Sequence, residues 1–152
     1  MDTTNHEYPV VATWTGGRDG AGTVRAQHSG VENPIRVPVE FQGPGGGTNP
    51  EELLASAIAA CYTITLGIIV ANRKLPVKNI ETTAVGVVEQ NGPQFTYKAV
   101  KITPVIAMEG EPTLEQLKLT EDMAHKADGY CIITNAVRGK LDITVEPKIV
   151  KG

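Results

Sequence analysis

The sequence predicts an α+β fold of 152 residues in which antiparallel sheets pack around one long, buried central helix carrying Cys61. Three observations lead there. Residues 53–72 contain no charged side chain, runs of alternating strand-like sequence stand on both sides of that stretch, and the elements lack the regular strand–helix alternation of a parallel sheet. Length bounds the rest: a chain of this size forms one domain, residues 1–152, with a core that needs no covalent staples.

After a polar lead-in, residues 8–15 (YPVVATWT) are rich in β-formers, and the Gly16-Gly17-Arg18-Asp19-Gly20 turn returns the chain into a strand over residues 23–28. A third strand is expected over residues 35–41, after a turn at Glu32-Asn33-Pro34, with Pro38 placing it at an edge or bulge. The central helix follows a glycine-rich loop. Asn49 is a good N-cap, Pro50 suits the first helical position, and Glu52 completes a capping box. The helix runs about 35 Å to Asn72 at about 1.5 Å per residue. That length would cross a bilayer. The small and hydroxyl residues around it and the strand sequence that follows favour a buried helix, one that needs cover on every face and therefore asks for a partner subunit.

Leu75-Pro76 ends the helix, and residues 80–89 and 94–107 form a second hairpin across Asn91-Gly92-Pro93. Thr113 caps a further helix, with Gln116 as the reciprocal box residue, which Asp128-Gly129 ends. Cys131 stands at the start of a short helical turn that Gly139 closes. Residues 141–146 (LDITVE) alternate as the last strand.

A net charge of −3 with 20% charged residues, and no basic cluster larger than Arg73-Lys74, argues against a nucleic-acid partner. No signal-peptide pattern stands at the start, so a cytoplasmic protein is expected. Cys61 and Cys131 form no CxxC, and His6, His28 and His125 are not at ligand spacing to either, so no metal site is expected. A structural disulfide is disfavoured in such a compartment, which leaves buried inert thiols or redox chemistry.

Three stretches carry a resemblance. GTNPEELLASAIAACY (residues 47–62), Cys131 with NAVRGKLDITVE (residues 135–146), and TWTGGRDG (residues 13–20) resemble the central-helix motif, second-cysteine region and arginine turn of the osmotically inducible protein C and organic hydroperoxide resistance family. One departure is visible: the family usually has proline after the second cysteine, and here Ile132 follows Cys131.

The resemblance implies a thiol peroxidase with no metal or bound cofactor. Cys61 would be the peroxidatic thiolate, Cys131 the resolving cysteine, and Arg18 with Glu51 the pair that orients and activates Cys61. It further implies an interleaved homodimer, organic hydroperoxide substrates and a lipoyl-type dithiol as reductant. The chemistry fits. A free thiol with pKa about 8.5 is only about 3% thiolate at pH 7 and needs activation. Cys61 lies about three turns into its helix, beyond the reach of the helix dipole, so a cation such as Arg18, gripped by Glu51, is expected to supply it. Glu51 and Cys61 are separated by about 15 Å of helix rise and cannot touch within one straight helix. Hence Arg18 and Glu51 are expected to come from the second subunit. Leu54, Ile58, Tyr62 and Tyr130 could wall a pocket for a bulky peroxide, or could be plain core. Two other readings stand beside this one: a non-catalytic binding domain of the same fold whose thiols never meet, and a thiol redox sensor.

Overall fold

The structure, a computed structural model, describes residues 2–152. Contacts divide the chain into two compact units, Met1–Leu53 and Leu54–Gly152.

The first unit holds strands β1 (Val10–Thr15), β2 (Ala21–Ala26) and β3 (Glu32–Ile35), antiparallel in that order. Gly16 takes φ +100° in the β1–β2 turn, a conformation that side chains other than glycine rarely tolerate. The third strand is displaced from its expected place. Glu32, Asn33 and Pro34, read in the sequence as a turn, pair with Arg25, Val24 and Thr23, and the reversal instead falls at residues 27–30, where Gly30 has φ +75°. Pro34 is tolerated because β3 is an edge strand. Residues 39–41 are a 3-10 turn that Pro38 opens.

Helix α1 (Pro50–Asn72) begins as expected: Asn49 Oδ1 accepts the Glu52 N–H at 2.8 Å. Glu52 answers through the Asn49 side-chain amide, 2.9 Å away. The helix continues unbroken into the second unit.

There β4 (Val77–Asn91) and β5 (Gln94–Met108) form a long antiparallel hairpin, and α2 (Leu114–Lys126) follows, opened by the reciprocal Thr113–Gln116 box. A 3-10 turn (Ala127–Tyr130), α3 (Ile132–Val137), β6 (Asp142–Val145) and β7 (Lys148–Lys151) complete the chain. Strands β6 and β7 lie end to end along β5, both parallel to it, so this sheet is mixed rather than purely antiparallel. β7 was not expected. It is a short KIVK run set off by Pro147, too brief for a periodic signal.

One stripe of α1 is wholly enclosed, made by Ile58, Tyr62, Leu66 and Val70 at four-residue steps. It packs with Val100, Ile102, Ile106 and Met108 of β5 and with Met123, Ala124 and Ala127. Ile64 and Ile68 on another face remain 63% and 56% exposed, so the single chain covers only part of the helix. Thr63 and Thr82, with hydroxyls 2.7 Å apart, tie α1 to β4. The Tyr62 hydroxyl donates to the Ala124 carbonyl at 2.6 Å, in the last turn of α2 where carbonyls run out of helical partners. Tyr62→Phe should therefore lower stability by about 1–3 kcal/mol in urea unfolding, because it strands a buried acceptor while preserving the packing.

Candidate active site

Two elements build the site. The enclosed stripe of α1 fixes the helix against β5, which leaves the neighbouring position, Cys61, half-buried at the edge of the core. Cys131 caps α3 and is fully buried. Both cysteines are free thiols, and each acts on the other's proton affinity.

The two thiols are driven in opposite directions. Burial pushes the Cys61 thiol up, but hydrogen bonds from the Cys131 thiol, the Ile133 N–H, the Thr65 hydroxyl and the Ile132 N–H outweigh it, and Cys61 lies below its ordinary value. Cys131 lies above its own: burial raises it, and so does donating its proton to Cys61, with Thr134 opposing. Deprotonation therefore starts at Cys61 while Cys131 keeps its proton. As pH rises, the Cys61 thiolate should appear at a lower pH than in a free cysteine. Cys131→Ala should move that midpoint upward, since the strongest donor is gone; an unmoved midpoint in a thiolate absorbance titration would contradict the pairing.

The sequence argument looked to a cation for this activation; within the second unit the groups that lower Cys61 are neutral. Ile132 and Ile133 are not legible as donors, because a backbone N–H carries no mark in the sequence, and the Thr65 hydroxyl acts on Cys61 from one helical turn further along α1. Only the absence of proline at position 132 was visible.

Arg138 was missed as well. Its Nε donates to Asn135 Oδ1 at 3.1 Å, and one Nη donates to the Asp128 carbonyl at 3.1 Å and pairs with Asp128 Oδ2 at 3.2 Å. Asn135 Nδ2 in turn donates to the Gly129 carbonyl, 2.9 Å away. These bonds clasp the turn leading into Cys131. Arg138→Ala should speed amide exchange at Cys131, whose N–H bonds the Asp128 carbonyl at 3.3 Å, and leave exchange in β4 and β5 unchanged.

The remaining expected residues divide. Ile58 and Tyr62 are fully buried core and present no surface to a substrate. Leu54 is partly buried against the same core. Tyr130 is 71% exposed and lines a cleft with Ile69, Asn72, Arg73, Met123 and Lys126; the four do not form one pocket wall. In the first unit, Arg18 is exposed at the β1–β2 turn and donates to the Phe41 carbonyl at 2.7 Å. Glu51, in the first turn of α1, is half-buried. Among the described residues no cluster of histidine, cysteine and carboxylate groups could hold a metal ion.

An α+β chain with an unbroken central helix and two free thiols, Cys61 half-buried and lowered, Cys131 buried and raised, defines a class of two-cysteine proteins. Residues 43–146 match the profile of OsmC-like proteins, and the chain belongs to that family. It is 29% identical over 148 residues to the uncharacterised protein YmaD of Bacillus subtilis, covering 97% of each chain. It is 32% identical over 141 residues to the organic hydroperoxide resistance protein of Xanthomonas axonopodis pv. citri, covering 91% of this chain and 92% of that one. Among solved structures, an organic hydroperoxide resistance protein from Legionella pneumophila matches with TM-score 0.71 and 26% identity, over 95% of this chain and 99% of that one.

Proposed function

We propose that this protein is a peroxiredoxin-like thiol peroxidase that reduces organic hydroperoxides to alcohols. The observation that carries the reading is a pair of free thiols that act on one another, Cys61 lowered and Cys131 raised. The relatives whose names specify organic hydroperoxide resistance support the substrate class.

In the first step the Cys61 thiolate attacks one oxygen of the substrate O–O bond. That bond breaks, the sulfur is oxidised to a sulfenic acid, and the other oxygen leaves as an alkoxide that takes a proton to become the alcohol. Next the Cys131 thiol attacks the sulfenic sulfur, forming the Cys61–Cys131 disulfide and releasing water. A dithiol reductant, lipoyl in type, then exchanges with the disulfide, restoring both thiols and becoming oxidised itself. No metal or bound cofactor enters.

Arg18 and Glu51 complete the site from a second subunit. Arg18 stabilises the negative charge that builds on the leaving oxygen, and Glu51 fixes the guanidinium. Support for the dimer is physical: Ile64 and Ile68 leave an apolar face of α1 open, and Val85, Val87 and Phe95 of the long hairpin are also exposed. Leu54 and Tyr130 are the two of the expected apolar residues still available to meet a bulky peroxide. A cytoplasmic setting, where dithiol reductants are maintained, suits the cycle.

Steady-state assays with an alkyl hydroperoxide and dihydrolipoamide test this. Turnover dependent on the dithiol is expected, faster with the alkyl hydroperoxide than with hydrogen peroxide. Absence of turnover with any dithiol at neutral pH would sink the reading.

A further inference from the structure

Thr134 is fully buried, and its hydroxyl oxygen has no hydrogen-bond partner among the described residues. Other helical threonines give the hydroxyl hydrogen to the carbonyl four residues back: Thr63 to Ala59 at 2.7 Å and Thr120 to Gln116 at 2.8 Å. Thr134 does not use that outlet, because four residues back lies Tyr130, in the 3-10 turn before α3. A buried hydroxyl left unpaired is costly and asks for a reason. The group beside it is the Cys131 sulfur. The Thr134 N–H donates to Cys131 Sγ at 3.4 Å, and the hydroxyl oxygen is only three bonds from that nitrogen. The hydroxyl stands close enough to oppose the rise of the Cys131 thiol, yet is aligned to no acceptor while that sulfur keeps its proton.

We propose that Thr134 is the leaving-group donor of the Cys61–Cys131 disulfide: when a dithiol breaks that bond, the Thr134 N–H and hydroxyl together hold the electron pair that departs on Cys131 Sγ. The proposal rests on the two cysteines forming the disulfide. Exposure decides which sulfur leaves. Cys61 is half-buried at the edge of the core, whereas Cys131 is fully buried, so an incoming thiolate reaches Cys61.

In that exchange a bond forms between the reductant sulfur and Cys61 Sγ. The Cys61–Cys131 bond breaks, and its electron pair departs on Cys131 Sγ, which then takes a proton. The second reductant thiol attacks the mixed disulfide, releases Cys61 and leaves the reductant oxidised to its own disulfide. The rate of the first exchange depends on how well the leaving sulfur carries charge. Burial works against Cys131 here. A hydroxyl that turns to meet a thiolate is a charge-assisted donor, stronger than one between neutral groups. The hydroxyl left unpaired in the reduced protein thus finds its partner when the sulfur turns negative.

Thr134→Val keeps the shape and the N–H and removes the hydroxyl, while Thr134→Ser keeps the hydroxyl. The test oxidises each protein with diamide, without peroxide, to the Cys61–Cys131 disulfide, then follows thiol release under excess dithiothreitol. Thr134→Val should be reduced about five- to twentyfold more slowly than wild type, the share of one charge-assisted hydrogen bond. Thr134→Ser should recover most of that loss. Alkylation of Cys61 by iodoacetamide in the dithiol proteins, a step in which no charge builds on Cys131, should change much less. Thr134→Val should also be no less stable than wild type in urea in the dithiol state, because the hydroxyl it lacks had no partner there. A Thr134→Val protein that is destabilised or fails to fold in that state marks a structural threonine and overturns the proposal. Equal reduction rates in all three proteins overturn it too, and leave the peroxidase reading intact. If diamide joins no Cys61 to Cys131, the disulfide step of the peroxidase falls and the proposal falls with it. A hydroxyl-dependent rate in a protein that turns over no hydroperoxide would refute the peroxidase and leave the donor standing.

Discussion

Cys61→Ser should abolish hydroperoxide reduction, whereas Cys131→Ser should still consume close to one equivalent of hydroperoxide per site and then stop. The difference follows from the two steps. Cleavage of the O–O bond needs one sulfur nucleophile, and a serine hydroxyl is almost wholly protonated at neutral pH and far less nucleophilic. Resolution needs the second sulfur. Without it the sulfenic acid at Cys61 has no neighbour to condense with, so turnover with a dithiol should slow while the first oxidation survives. Serine at position 131 keeps a donor toward Cys61, so the first step should slow only modestly. Stopped-flow oxidation with one equivalent of an alkyl hydroperoxide separates the cases; a Cys61→Ser protein that oxidises as fast as wild type would end the assignment.

Mixing two inactive variants should restore activity. Cys61→Ser supplies an intact Arg18, and Arg18→Ala supplies an intact Cys61. If each site combines the thiols of one subunit with the arginine of the other, a heterodimer holds one complete site and one doubly defective site. Free exchange of equal amounts yields about half heterodimers, hence about a quarter of wild-type specific activity from two nearly dead parents. Arg18→Ala should lose more in rate than in thiolate content, because the donors around Cys61 from the second unit remain in place and the lost guanidinium acts on the leaving oxygen. Arg18→Lys should recover charge but little activity, since lysine lacks the planar fork that Glu51 can hold. No recovery after demonstrated subunit exchange would place Arg18 in the same subunit as the thiol it serves, or outside the site.

What could be read in the sequence was whatever local chemistry writes there. Asn49, Pro50 and Glu52 announced the start of α1, Asn91-Gly92 the long hairpin, and Thr113 with Gln116 the start of α2; each is a side chain whose preference is satisfied within a few residues. β3 was misplaced because Pro34 suggests a turn, while the pairing with β2 is decided by edge position and register. The parallel pairing of β6 and β7 on β5 is a long-range choice that leaves no local trace. At the site, Cys61 and Cys131 were legible as residues capable of chemistry, and their meeting was expected only through the family resemblance. The donors on Cys61 were not legible, because two of the groups that lower the thiol are backbone hydrogens and the others, Cys131 and Thr65, meet it only in the folded chain. Ile58 and Tyr62 show the reverse case: their four-residue spacing marks the buried stripe of α1, the plain-core alternative that the sequence already offered beside the pocket.

The most direct measurement is a count of free thiols before and after one equivalent of an organic hydroperoxide, with the product mapped by peptide mass spectrometry. Both thiols should disappear together into a single intramolecular Cys61–Cys131 disulfide, with one alcohol formed per hydroperoxide. Two thiols still free after the peroxide is added, or a disulfide joining separate chains through Cys131 alone, would contradict the peroxidase.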